Sequence, residues 1–257
     1  MATIAITGSA GGIGRATAAR LEADGHRVIG IDVRNAEVTA DLSTAEGRRA
    51  MVGAVEEQCD GVLDGLVAGA GITGDGGAAL VSVNYFGAVA TLGGLRPLLG
   101  RGSSASAVAI GSNSATTQPG YPMAVVERCL AGDEPGARLS AADDGLGAYG
   151  ASKLALARWV RRHATGPDWI GAGIRLNAVA PGFIDTPLTE GQWDFISSLG
   201  AIYPMPSGRA GRPDEVAGLL TYLLSPEAGF FVGSVVVMDG GTEAALRPDG
   251  WPRPIDR

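Results

Sequence analysis

Short apolar runs recur along this chain without the polar alternation of a half-exposed strand, and most are followed by a longer segment of helical period. That pattern is the strongest constraint on the fold. A strand apolar on both faces must be covered on both faces, which calls for a parallel sheet with crossover helices above and below. Strands are expected at residues 3–7, 27–32, 37–40 (weaker), 63–68, 105–110, 174–180 and 235–238. Helices are expected at 12–23, 44–59, 147–163 and 213–224, with a broken helical stretch at 78–99. The helix at 213 opens on a proline, whose missing N–H costs nothing in a first turn.

Two stretches break the rhythm. Residues 117–146 are rich in Gly, Ala and acidic side chains, with room for a helix at 123–131, and form a long insertion that reads as functional, interfacial or mobile. Residues 187–211 carry Trp193, Phe195, Ile196, Leu199, Ile202, Tyr203 and Met205, which suits a loop that covers an apolar ligand or one that simply packs on the core. No linker divides the 257 residues, so one domain over 1–257 is expected. Aromatics are only 5% of the chain, so Ala, Val, Leu and Ile must fill the core.

The net charge of −7, with no Lys/Arg block, argues against a nucleic-acid partner. No ligand spacing suggests a metal. Cys59 and Cys129 read as free thiols, although a bridge between them is not forbidden. The chain starts on a strand with no basic leader, and no apolar run looks long enough for a membrane, so a cytoplasmic location without membrane insertion is expected.

Between the first strand and first helix lies Thr7-Gly8-Ser9-Ala10-Gly11-Gly12-Ile13-Gly14. Glycines there allow a tight turn and let backbone N–H groups approach a pyrophosphate at the helix N-terminus. The spacing Gly8, Gly12, Gly14 is looser than the commonest dinucleotide fingerprint. Asp32 ends the second strand, where a carboxylate accepts bonds from an adenosine ribose and repels a 2′-phosphate. With no basic residue at Ser9, Ala10 or Val33, NAD is expected over NADP, although Arg15 and Arg34 are close in sequence. Asp41 and Leu42 fit either the flank of an adenine or the start of the next helix. Gly69-Ala70-Gly71 after the fourth strand permits close approach of a cofactor.

Tyr149 and Lys153 stand four residues apart, on one helical face. A carbonyl receiving hydride needs a proton donor beside its oxygen. A phenol near pKa ~10 is poorly matched to neutral pH unless a cation favours its phenolate. Tyr149 is therefore the candidate acid or base and Lys153 the cation that tunes it and holds a ribose. Ser112, after a strand, would bond the substrate oxygen, and Asn84 would order a water or a proton relay. Either residue also fits a turn or cap.

Taken together, these residues resemble the short-chain dehydrogenase/reductase family. The family's glycine pattern appears as Thr7-Gly8-x-x-x-Gly12-x-Gly14 and its Tyr-x-x-x-Lys as Tyr149 to Lys153, with Ala151-Ser152 before the lysine. Its catalytic serine and asparagine map to Ser112 and Asn84, and Pro181-Gly182 with Thr186 matches the segment that contacts the nicotinamide. The resemblance covers essentially the whole chain. It implies a Rossmann-like doubly wound parallel sheet with helices on both faces, and an NAD-dependent oxidoreductase acting on CH–OH groups. Residues 30–34, 40–47 and 81–87 and the long insertion resemble a branch that acts on steroid alcohols and ketones and pairs as dimers rather than tetramers. The implied substrate is a small apolar alcohol or carbonyl compound, steroid-like or alicyclic. The same residues also fit an enzyme for small cyclic ketones, aromatic diols or a secondary metabolite, or a silent dinucleotide sensor or scaffold. The sequence departs from the family where Val67-Ala68-Gly69-Ala70-Gly71 lacks the usual asparagine, and where Gly111-Ser112, with Ser114 nearby, replaces a Ser-Ser pair.

Overall fold

A computed structural model describes residues 1–74, 76–142 and 144–250. Residues 251–257 of the expected domain and Asp143 of the expected insertion lie outside them. The described strands are β1 (Thr3–Thr7), β2 (Arg27–Asp32), β3 (Val38–Thr39), β4 (Gly65–Ala68), β5 (Ser106–Ile110), β6 (Arg175–Pro181) and β7 (Val235–Met238). They form one sheet in the order β3-β2-β1-β4-β5-β6-β7, and every pairing is parallel. In register, Thr7 of β1 stands beside Ile31 of β2 and Ala68 of β4. Successive residues of one strand enter different cores: Ile4 and Ile6 join Val67, Val108 and Val179 on one face, while Ala5 joins Leu66, Ala107 and Leu176 on the other. That two-sided burial explains the lack of alternation in the strands.

Helices α1 (Gly12–Ala23) and α10 (Pro213–Leu224) pack together on the first face, with Leu21, Val216, Leu220 and Leu223 buried there. The second face is covered by α2 (Ala45–Gln58), α4 (Ala88–Leu99) and α8 (Gly145–Ala164). Most sequence boundaries differ by a residue or two for local reasons. Thr44 caps α2 by accepting from the Gly47 N–H at 3.0 Å. Asp144 caps α8 through the Gly147 N–H at 2.7 Å and so starts that helix two residues before the expected position. The broken stretch resolves into α3 (Gly77–Val81), a π-helical turn at Ser82–Gly87 and α4. A π-turn re-aims the side chains it carries and is common at functional positions.

The run Gly77–Leu99 is long and apolar enough by length and composition to cross a membrane, which corrects the expectation that no such run exists. Its apolar side chains are used inside the protein, where Leu80, Val81, Leu92 and Leu95 are buried in the core. The insertion is also more ordered than expected. It forms α5 (Ser114–Thr117), α6 (Met123–Leu130) and α7 (Glu134–Ala141). Val125, Val126, Cys129, Ala137 and Ala141 are fully buried, and α6 packs on α8 while α7 packs on α3. Cys59 and Cys129 are buried free thiols.

The loop 187–211 contains α9 (Trp193–Ser198) and a short 3-10 turn at Gly200–Ile202. Phe195 and Ile202 are 65% and 69% exposed, so neither packs on the core. The described chain ends in α11 (Thr242–Leu246). Arg175 of β6 is buried without a carboxylate. Its guanidinium reaches the carbonyls of Leu223, Leu224, Ser225 and Ala228 at 2.9–3.4 Å, where the C-terminal end of α10 carries partial negative charge.

Candidate active site

The carboxyl ends of the strands surround a cavity of about 740 Å³, within the usual range for cofactor and ligand sites. Its lining includes Gly8, Gly12, Ile13, Gly14, Asp32, Asp41, Leu42, Gly69, Ser112, Tyr149, Lys153, Pro181, Gly182 and Thr186, the positions expected from the sequence. Asn84 is the exception. It is fully buried behind the wall.

The glycine turn is dictated by lack of space. Gly8 has φ +76, and a Cβ on it would meet the Gly69 carbonyl oxygen at 2.9 Å. A Cβ on Gly14 would collide with the Gly8 carbonyl. At Gly12 a Cβ would lie 2.6 Å from the Thr186 methyl, so the foot of the 187–211 loop touches the turn across the cavity. The turn is held to β2 by the Gly8 N–H, which donates to the Ile31 carbonyl at 2.8 Å, and by the Ala10 N–H, which donates to Asp32 Oδ2 at 3.0 Å. α1 has Gly11 as its N-cap and no side-chain cap. Its first-turn N–H groups are thus available to an anion.

Asp32 therefore braces the turn as well as facing the cavity. Arg34 also lines the cavity, whereas exposed Arg15 does not. Asp41 does not cap α2, a role taken by Thr44. Its Oδ1 accepts from the Ser43 N–H at 2.8 Å, and the bonds from Ser43 hold its carboxyl below the ordinary range. The missing asparagine after β4 is compensated from β1: the Thr7 hydroxyl accepts the Gly69 and Ala70 N–H groups at 3.0 and 3.1 Å.

The reactive end is built from α8, β5 and the π-turn. Ser112 is the serine beside the phenol. Its hydroxyl donates to that of Ser114 at 3.1 Å. Burial pushes the Tyr149 phenol above its usual pKa, and the Ser112 hydroxyl offsets only part of that rise. The cation expected to lower it does not prevail in this structure. Lys153 Nζ lies 5.7 Å from the Tyr149 ring centroid and donates to the Ile110 carbonyl at 3.1 Å. Burial pushes the ammonium itself down to about 8. Asn84 is occupied by the backbone of Ile72: its Oδ1 accepts from the Ile72 N–H at 2.8 Å and its Nδ2 donates to the Ile72 carbonyl at 3.0 Å. Ile72 lines the cavity, so Asn84 fixes one wall segment.

Two residues beside the cavity, Asn113 and Arg48, were not singled out from the sequence, and Tyr203 was named only among the large apolar groups of its loop. Buried Asn113, next to Ser112, donates to the Tyr203 hydroxyl at 3.0 Å and to Asp239 Oδ2 at 3.1 Å. Tyr203 donates back to Asn113 Oδ1 at 3.2 Å, which pins the middle of the 187–211 loop beside the reactive end. The second is Arg48, whose guanidinium holds the backbone at Leu42 and Ser43. One signal was available for it: Arg48, Met51 and Val55 lie at helical spacing on the buried face of α2.

A family model described as short chain dehydrogenase matches residues 2–125, and one described as enoyl-(acyl carrier protein) reductase matches residues 137–243. The chain belongs to the short-chain dehydrogenase family, and the likeness runs end to end. It is 41% identical to the 3-alpha-hydroxysteroid dehydrogenase/carbonyl reductase of Comamonas testosteroni, an alignment covering 96% of this chain and 99% of that protein. The crystal structure of the 3-alpha-hydroxysteroid dehydrogenase from Pseudomonas sp. B-0831, complexed with NADH, matches with a TM-score of 0.88 and 45% identity, covering 96% of this chain and 99% of that one. Levodione reductase matches with a TM-score of 0.75 and 28% identity over 95% and 98% of the two chains.

The buried ammonium gives a stability test. The free side chain titrates at 10.5 and the folded one at about 8. Between those values the unfolded chain holds a proton that the folded chain has released. The cost of burying the charge is therefore complete below pH 8 and lost as pH rises toward 10.5. That gap corresponds to about 3 kcal/mol. Lys153→Met is expected to be more stable than wild type at pH 7 by on the order of 1–3 kcal/mol, after loss of the Ile110 bond, and to lose most of that advantage by about pH 10. Urea unfolding at the two pH values checks this.

Proposed function

We propose that this chain is an NAD-dependent oxidoreductase that interconverts a secondary alcohol and a ketone on an apolar, alicyclic or steroid-like substrate. The observation that carries the reading is the convergence of Tyr149, Ser112 and Lys153 on the cavity that also holds the glycine turn and Asp32. The residues fit a dinucleotide. Gly8, Gly12 and Gly14 leave a cradle that side chains would fill, and the uncapped start of α1 suits a pyrophosphate. Asp32 suits ribose hydroxyls, with Asp41 and Leu42 beside the adenosine. Pro181, Gly182 and Thr186 line the same cavity as Lys153 and Tyr149, the segment suited to the nicotinamide. When bound, the nicotinamide supplies or accepts the hydride.

The protein's own groups handle the proton. Tyr149 is protonated at neutral pH, the state that donates to an oxygen gaining negative charge during reduction. Ser112 bonds that same oxygen and orients it, and the two donors stabilise the developing alkoxide. Lys153 supplies positive charge beside the phenol and would hold a ribose hydroxyl of the bound cofactor. Asn84 holds the Ile72 segment in place and leaves one amide hydrogen and one lone pair for a water-borne relay. Leu188, Ile72, Ala79 and Val83 give the substrate end an apolar lining. The names of the relatives in Comamonas and Pseudomonas support a hydroxysteroid as the first substrate to try.

We also infer a dimer that forms through the insertion. Leu139 of α7 and Leu146 at the start of α8 are 81% and 74% exposed in an otherwise packed region. Large apolar side chains left exposed on the insertion suit a partner surface.

Three outcomes are expected. Tyr149→Phe should lower ketone reduction by about 10²-fold or more while NADH binding by fluorescence stays within about twofold of wild type; undiminished turnover would refute the proton-transfer role. The ratio of kcat/KM for NAD over NADP should exceed about tenfold, because a 2′-phosphate would face the Asp32 carboxylate. Native mass measurement should give two chains, with Leu139→Asp/Leu146→Asp shifted toward one.

A further inference from the structure

None of the residues of α6 or α7 lines the cavity. The insertion nevertheless reaches the cavity wall through one buried arginine. Arg48 Nε donates to the Leu42 carbonyl at 2.7 Å, and Nη2 donates to the carbonyls of Ser43 at 3.3 Å and Ser82 at 3.0 Å. Leu42 and Ser43 form the cavity wall beside Asp41. Ser82 opens the π-turn that carries Val83, another wall residue, and Asn84. One guanidinium therefore ties together two segments of wall that are far apart in sequence.

Its charge is balanced from the insertion. Glu134, the first residue of α7, accepts from Arg48 through both oxygens at 2.6 and 2.7 Å. Burial alone would raise the Glu134 carboxyl, but bonds from Arg48 and Ser82 and the charges of Arg48 and Arg138 outweigh it. Arg138, one turn along α7, donates to the Ser82 hydroxyl at 2.5 Å. Carbonyl groups satisfy the guanidinium hydrogens but do not neutralise its charge. Removing the carboxylate from a buried pair leaves an uncompensated charge, which is strongly disfavoured and favours a turn of the guanidinium toward water. Here that movement would release the Leu42, Ser43 and Ser82 carbonyls, and of these residues only Ser82 keeps a second tie to α7, through Arg138.

We propose that Glu134 is a positioning residue for the cofactor: acting through Arg48, it fixes the wall at residues 41–43 and so sets the affinity for the adenosine half of the dinucleotide. The inference rests on the NAD reading above. It gives the insertion a function inside its own subunit, separate from any contact between subunits.

The test compares wild type with Glu134→Gln, which keeps the shape and removes the charge. NADH is titrated by fluorescence, and ADP-ribose and nicotinamide mononucleotide are measured as competitors. Glu134→Gln should weaken NADH and ADP-ribose by a similar factor of about ten, leave nicotinamide mononucleotide within about twofold, and be partly rescued by Glu134→Asp. General loosening of the fold would weaken both halves alike. An NADH affinity within twofold of wild type, or equal losses for the two fragments, overturns the proposal while leaving the NAD reading intact. Failure of wild type to bind NADH overturns both. Should Glu134→Gln not fold, Arg48→Lys keeps the buried charge, loses the fork and carries the same expectation.

Discussion

The sheet reverses its direction of growth between β1 and β4, and the gap at the carboxyl ends of those two strands is the constraint that organises the molecule. From β1 the chain builds outward to β2 and β3, then returns to start β4 on the other side and continues to β7. Connections on the two sides lead away from each other there, so no crossover covers the gap. Gly8 follows β1, Asp32 ends β2, Gly69 follows β4, Ser112 lies just past β5 and Pro181 ends β6. Tyr149 and Lys153 come instead from a helix, and the Lys153 bond to the Ile110 carbonyl ties that helix to the end of β5.

Charge inside this fold is handled case by case. Arg175 pairs with no carboxylate among the described residues, and carbonyls at the end of α10 satisfy its guanidinium. Arg48 has both carbonyls and a carboxylate. Lys153 has a single carbonyl, and its lowered pKa reflects how little that compensates burial. The least compensated of the three cations is the one beside Tyr149, the phenol proposed to carry the proton. Residues kept for chemistry at the expense of folding free energy follow this pattern.

The fold was readable because its signals are local and repeated. Two-sided apolar strands, glycine turns and a proline at the start of α10 each point to the same architecture. The cavity lining was readable for a similar reason, since strand-end residues fall there once strand order is known. What escaped depends on contacts between distant segments. α7 is short, and its helical pattern of Ala137 and Ala141 is too sparse to stand out in a stretch of Gly, Ala and acids. Arg48 meets Glu134 across 86 positions, and Asn113 meets Tyr203 across 90. The expected effect of Lys153 on Tyr149 was a statement about charge alone. In the folded chain desolvation is larger, and the phenol moves the other way.

The contact between Gly12 and Thr186 has a further consequence. The two segments lie 174 positions apart in the sequence and meet at the cavity with nothing but a glycine hydrogen between them. That seam cannot be widened by a methyl group without lifting the foot of the loop that also carries Leu188. Coenzyme grip and the shape of the substrate chamber are therefore fastened at one stitch, and a side chain placed at Gly12 must alter both.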